Sequence, residues 1–458
     1  MESLASVFVD GFVASTVNRC RAVQERAHLF EHADFASPNP SLLAKLIIRI
    51  SAEVASELVR LRNLYNSDPS NILRQIRLLD NFIKELATHL RYVDGARTIN
   101  VPWSLPKPLE VLVSRFIPNR TVMLRPQWKY NYTISIGDLG ASYRQQLKSI
   151  LPATTLDAIF ADFPNGFHIL SFPTIERQSA LLHSDLAHEL GHLIADQYLT
   201  QEPNDYVAVL SEQVRQHVTQ ANEARPVRLE PLFLSVEVAE HIQRALLIRR
   251  RALEEMVSDM FACRLLGPAA LFALVAVALA FPPDLLPVAR TAYYPPWRMR
   301  LRAALSVLER FGLLPSQNVD GHSSPCVDKI QQRTAPIISG LQEMVTITSD
   351  SAVIDKEWLV KIAYSSVAEA LPKAEEFVLK NHDGQFMAPR ALYTEMYELT
   401  DRLIEHIPPN EISGADAPRA ASIEAIFNAA WFYRIAFTSP PFVADKLSAE
   451  FVESVKIL

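Results

Sequence analysis

Residues 181–199, LLHSDLAHELGHLIADQYL, carry two histidines, His188 and His192, four positions apart. On a helix that spacing sets both imidazoles on one face, a turn apart, where they can reach a single ion. Leu186, Leu190, Leu193 and Ile194 predict that the helix is half buried. Gly191 costs about 1 kcal/mol against alanine inside a helix, so its presence predicts a neighbouring element packed closely there. Neutral imidazole is a good zinc ligand, and a pair leaves room for a third protein ligand and a water. Glu189 completes H-E-x-x-H and stands where a carboxylate can take a proton from that water.

Further on, RRRALEEMVSDMFACRLLGPAA reads as a strongly helical, apolar segment containing Glu255 and Asp259. Carboxylates four residues apart share a helix face. One can complete a His2Glu zinc set, and the other can accept the N–H of a ligand histidine. With H-E-x-x-H followed by E-x-x-x-D on a later helix, the chain resembles the gluzincin metallopeptidases, the thermolysin-like branch of the zincins, over roughly residues 165–300. The resemblance implies a zincin-like core holding one Zn2+ per chain on His188, His192 and Glu255. It also implies Glu189 as general base, Asp259 as the residue that orients a ligand histidine, and hydrolysis of peptide bonds in a protein or peptide. Glu254 competes as third ligand, but its spacing to Asp259 is five and fits less well.

Several zincin families carry an HPP-then-Arg segment near the place where this chain has Tyr293-Tyr294-Pro295-Pro296-Trp297-Arg298-Met299-Arg300. A peptidase of this kind needs a donor for the oxyanion that forms at the attacked carbonyl. Tyr294, the leading candidate, or Tyr293 can supply it, and Arg298 or Arg300 can hold a substrate carboxylate or brace the site. A proline-fixed turn with packing aromatics accounts for the same residues. His183, His241 and His168 are further donor candidates. Arg244, Arg249, Arg250 and Arg251 precede Glu255 and read either as a solvated helix face or as a guide for an acidic substrate.

Strand character is found at 121–124, in WKYNYTISI (128–136) and at 166–173, which a proline ends just before the site helix. If the zincin resemblance extends here, residues 167–172 are an edge strand that pairs with extended substrate, with Leu170 among the substrate-binding residues. The alternative is an ordinary core strand. The apolar run 265–281 is interrupted at Gly267-Pro268 and reads as a buried core helix rather than a membrane span.

The remaining bounds are broad. At 458 residues, 49% apolar and 21% charged, the chain is long enough for two or three domains and excludes wholesale disorder. A net charge of −6 gives no electrostatic case for nucleic acid. Three widely spaced cysteines fit a reducing compartment, and the first residues lack the pattern of a signal peptide, so the expected location is cytoplasmic. In 71–93, Ile72, Ile76, Leu79, Ile83, Leu86, Leu90 and Val93 alternate at steps of four and three. They form the seam of a helical hairpin, packed internally or offered to a partner copy as an oligomerising arm.

The fold class is therefore mainly α (α+β). Residues 1–97 form a helical hairpin region, and 98–314 a zincin-like core with its β subdomain at 98–175 and its site helices at 176–314. Residues 315–350 are a loop, and 351–458 a C-terminal helical region. The expected function is a zinc-dependent endopeptidase with a restricted protein target, since the Gly-x-Met-Glu-Asn type of amine-binding motif is missing. The alternatives are a catalytically silent binding or regulatory protein on the same scaffold, and a metal-bound component of an assembly.

Overall fold

The computed structural model describes residues 4–103, 105–177, 181–202, 205–278, 294–315, 325–346, 357–382, 384–414 and 417–438. The chain divides into two compact units, 1–178 and 179–458.

The first unit begins with three helices, α1 (Leu4–His28), α2 (Asn39–Leu64) and α3 (Pro69–Gly95). Asp68 accepts from the Asn71 N–H (3.3 Å) and Pro69 starts the first turn of α3, so the turn SDPSN both stops α2 and launches α3. All seven seam residues of α3 are buried in one core with Leu43, Ile47, Ile50, Val54 and Leu58 of α2 and Val13 and Cys20 of α1. The seam is consumed inside this bundle, in keeping with an internal hairpin.

After α4 (Pro106–Phe116) comes a three-stranded mixed sheet of β1 (Thr121–Gln127), β2 (Thr133–Ile134) and β3 (Phe167–Pro173), with α5 (Leu139–Leu147) and α6 (Ala153–Phe160) in the crossover. Asp138 ties the crossover to the strand: its carboxylate accepts from the N–H groups of Gly140 (2.9 Å), Gly166 (2.8 Å) and Phe167 (3.3 Å). The sheet order is β1-β3-β2. β3 is parallel to β1 from Thr121↔Phe167 to Gln127↔Pro173 and antiparallel to β2 at Thr133↔Ser171 and Ile134↔Leu170. Beyond β2 the Ser135 N–H donates to the Ile169 carbonyl (2.9 Å) and its hydroxyl accepts from the Ile169 N–H (2.8 Å).

These pairings correct the edge-strand expectation. β3 is the middle strand, buried along its whole length, and Leu170 is fully buried with neighbours on both sides. At Ile169 to Ser171 it has partners on both sides, so at Leu170 it is not an open edge for an added substrate strand. WKYNYTISI is also mostly not strand: only Thr133–Ile134 pairs, while Trp128 is 93% exposed. The sheet belongs to the same compact unit as the N-terminal helices.

The second unit holds α7 (Asp185–Gln201), α8 (Asp205–Glu223), α9 (Pro231–Leu266), α10 (Pro268–Ala278), α11 (Trp297–Arg310), α12 (Pro325–Thr346), α13 (Trp358–Asn381), α14 (Pro389–Ile404) and α15 (Ile423–Tyr433). A two-residue ribbon, Glu411–Ile412 with Arg419–Ala420, follows α14. The 36-residue α9 is the axis of the unit. None of its residues before Ala245 is buried, whereas Ala252 to Cys263 are buried without interruption. α9 ends at Gly267, whose φ of +60° favours glycine, and Pro268 starts α10. α10 is buried as expected, and no helix among the described residues is long and apolar enough to cross a membrane. Residues 325–346 form α12, where a loop was expected, and 351–458 is not a separate region: α13 packs along α9 and α7, and α15 against α10.

Candidate metal centre

α7 runs against α9 with its apolar residues Leu186, Leu190, Leu193 and Ile194 buried. The contact is closest at Gly191, where a Cβ would lie 2.6 Å from the Ser258 Cα and 2.9 Å from its carbonyl oxygen. The notch expected from the glycine is therefore present, and it lets the two backbones approach. That approach brings the H-E-x-x-H face of α7 onto the E-x-x-x-D face of α9.

His188 Nε2 lies 3.4 Å from Glu255 Oε2, and His192 Nε2 lies 3.7 Å from Glu255 Oε1. The two imidazoles stand edge to face with centroids 4.8 Å apart. His188, Glu189 and His192 each offer a ligand atom, all within 4.8 Å of one another, so this group could hold a metal ion. Glu189 is buried. The 3.4 and 3.7 Å separations are long for strong direct hydrogen bonds. Neighbouring ligand atoms around a tetrahedral zinc, at bonds of 2.0–2.2 Å, stand about 3.3–3.6 Å apart; the 3.4 Å separation lies in that range and the 3.7 Å one just beyond it, so histidine and carboxylate donors are grouped closely enough to hold such an ion. Glu254 faces elsewhere, on Arg250 (3.2 Å) and Arg251 (2.8 Å).

Asp259 stands behind the histidines. Its Oδ1 lies 2.8 Å from His188 Nδ1, a hydrogen-bond separation with a bent angle. Arg300 forks onto the same carboxylate, Nε to Oδ2 at 2.6 Å and Nη2 to Oδ1 at 2.7 Å, and reaches within 3.5 Å of Glu255. Of the two roles open to the arginine pair, Arg300 takes bracing; its guanidinium also lies over the Trp297 ring. Neither His188 Nδ1 nor His192 Nδ1 meets a hydrogen bond of good geometry among the described residues, but only His188 Nδ1 has a carboxylate beside it, so the two histidines are held unequally.

The charges form a balanced set. Burial disfavours the His188 cation, but the Asp259 and Glu255 carboxylates outweigh it and raise His188 to about 10. Burial, with the His188 charge beside it, pushes His192 down to about 4. Glu255 and Asp259 both stay ionised against burial: His188 and Arg300 hold each below the usual carboxylate range. Asp185, in the first turn of α7, is lifted by burial to about 7 while His188 and Arg300 pull it down.

Tyr294 is 54% exposed. Burial of its phenol raises its pKa, Glu255 and Glu189 add to the rise, and Arg300 and Arg251 oppose it, so the hydroxyl lies within electrostatic range of the site. Tyr293 falls outside the described residues. Arg298 is half-buried in the first turn of α11. Of the other donor candidates, His183 is buried just ahead of α7, and His241 bonds the Glu237 carbonyl (2.8 Å) in the exposed half of α9. His168 belongs to the first unit, with Nδ1 2.8 Å from the Ser135 carbonyl oxygen.

The arginine run is a solvated face except at Arg249: Arg244, Arg250 and Arg251 are exposed. Arg249 is buried, forked onto Glu202 (2.6 and 2.7 Å) and bonded to Ser366 (2.9 Å). At the surface, Arg250 joins Asp196 and Glu254, and Arg251 joins Glu254.

Sequence reasoning missed the contribution of the last helices. Trp431 of α15 donates its indole N–H to the Leu181 carbonyl (3.1 Å), holding the segment that enters α7. From α13, the Ala370 carbonyl meets the Tyr198 hydroxyl (3.5 Å) and the Tyr364 hydroxyl donates to the Tyr294 carbonyl (3.1 Å). Their only sequence signal is an aromatic on an apolar helix face, which is common to any core. Set against known proteins, the chain matches no protein-family model, no curated protein and no solved structure.

Proposed function

We propose that this chain is a zinc-dependent peptidase acting on protein or peptide substrates, with His188, His192 and Glu255 as the ligands of one Zn2+. The observation that carries the reading is that Glu255 reaches toward both Nε2 atoms at 3.4 and 3.7 Å, spacings that suit three ligands around one ion better than direct bonds. Asp259 keeps His188 oriented through Nδ1, leaving Nε2 to face the ion.

When bound, zinc would polarise the scissile carbonyl and acidify a water. Glu189, the buried carboxylate beside the histidines, accepts the proton as that water attacks and returns it to the departing amine. The Tyr294 phenol donates to the carbonyl oxygen as negative charge grows there. An endopeptidase with a restricted target is the preferred form, since the amine-binding motif of aminopeptidases is missing from the sequence.

The test is zinc content per chain, wild type beside Glu255→Ala, in protein purified without chelating resin. About one zinc per wild-type chain and much less in the variant supports the ligand set. A folded wild type with no zinc overturns it and favours a silent binding protein on this scaffold.

A further inference from the structure

The segment from Tyr294 to Arg300 is held at two points. At its far end the Arg300 guanidinium forks onto the buried Asp259. At its near end the Tyr364 hydroxyl, from α13, donates to the main-chain carbonyl of Tyr294 at 3.1 Å. Tyr364 is only 6% exposed, and a buried phenol hydroxyl requires a hydrogen-bond partner. α13 also packs along α9, the helix that carries Glu255 and Asp259.

Tyr294 is followed by Pro295 and Pro296, and Pro296 has φ −52° and ψ 141° where it caps α11. Proline fixes its own φ, lacks an N–H, and keeps the residue before it out of the helical region. The bond to the Tyr294 carbonyl therefore restrains the peptide between Tyr294 and Pro295 at its oxygen. What remains free is rotation of the Tyr294 side chain about χ1 and χ2, from a fixed base.

We infer that Tyr364 is a positioning residue, which holds the Tyr294 backbone so that the Tyr294 phenol reaches the reacting carbonyl. This rests on the donor role given to Tyr294 above. The contact through which Tyr364 acts on the site in this inference is its bond to the Tyr294 carbonyl.

The test uses the full chain and reads the hold in two ways. First, 3-fluorotyrosine placed at position 294 gives a fluorine resonance that needs no turnover. Tyr364→Phe is expected to shift it, because releasing the carbonyl moves the base from which the ring projects, with the fold and zinc content retained. An unmoved resonance overturns the inference. Second, on a mixture of quenched fluorescent peptides, Tyr364→Phe is expected to lower kcat about tenfold with little change in KM. On a Tyr294→Phe background it should lower kcat no further. An equal loss on both backgrounds overturns the inference, because Tyr364 would then act by another route. If wild type cleaves no peptide, the peptidase reading falls, while the fluorine resonance still decides whether Tyr364 holds Tyr294.

Discussion

Gly191 on α7 meets the backbone of Ser258 on α9 with no room for a methyl group, since a Cβ there would stand 2.6 Å from the Ser258 Cα. Backbone cannot yield as a flexible side chain would. Gly191→Ala is expected to destabilise the protein by about 1–3 kcal/mol and to lower its zinc content, because the helices that carry the site must part. Denaturant unfolding and metal analysis check this. Ser258→Gly should not rescue the variant, since the closest atoms are the Cα and carbonyl oxygen of residue 258.

Arg300 and Asp259 form a buried fork at 2.6 and 2.7 Å. Removing one partner leaves the other charge without compensation. Arg300→Met is expected to cost about 3–5 kcal/mol in urea unfolding. Arg300→Met with Asp259→Leu should cost clearly less than the two single losses added together. Strict additivity would mean that the fork contributes nothing as a pair.

Glu189 is assigned the proton transfers, not the metal. Glu189→Gln keeps the size of the side chain and removes the base, so hydrolysis should fall by about 10²–10⁴ with zinc content unchanged. Chelation should abolish wild-type turnover and added zinc restore it. Full turnover in Glu189→Gln would refute the base assignment.

The first unit carries a separate pH dependence. His89 Nδ1 lies 2.6 Å from the Tyr143 hydroxyl. Burial, with a smaller push from Arg125, depresses the His89 pKa below its ordinary 6.5 against the pull of Glu85. The unfolded chain takes up a proton near 6.5 that the folded chain refuses, so this contribution to stability is present above pH 6.5 and drains as pH falls towards the depressed value. Melting temperature should therefore drop between pH 7.5 and 5.5. In His89→Gln, which keeps a polar partner for Tyr143 without titrating, the drop should be smaller. Equal drops in both proteins would exclude His89 as a source.

The parts of the site that were legible in the sequence are those set by local geometry. Histidines or carboxylates four apart share a face whatever surrounds the helix, so His188 with His192 and Glu255 with Asp259 could be read as pairs. Gly191 was legible because a glycine in a helix interior has a cost that packing must offset. The place of β3 was not legible, because whether it is an edge or a centre depends on Thr121 and Ser135, far away in sequence. WKYNYTISI misled because aromatic content suggests a strand, while Trp128 and Tyr130 turn outwards. The hold of Tyr364 and Trp431 on the site was hidden for a similar reason: nothing local distinguishes an aromatic that packs from one that also donates a hydrogen bond.

α9 is about 54 Å of uninterrupted helix, taking its 36 residues at 1.5 Å each. No residue before Ala245 is buried, and the later turns carry Glu255 and Asp259 into the core. Backbone hydrogen bonding within a helix is internal, so the exposed half needs no surrounding core to stay straight. The helix is thus a lever, seated in the core at one end and held at the other only by surface contacts such as Glu237 with Arg225 and His241 stacked on Trp358. A tilt of a few degrees imposed on that outer end would act directly on the carboxylate that faces both histidines.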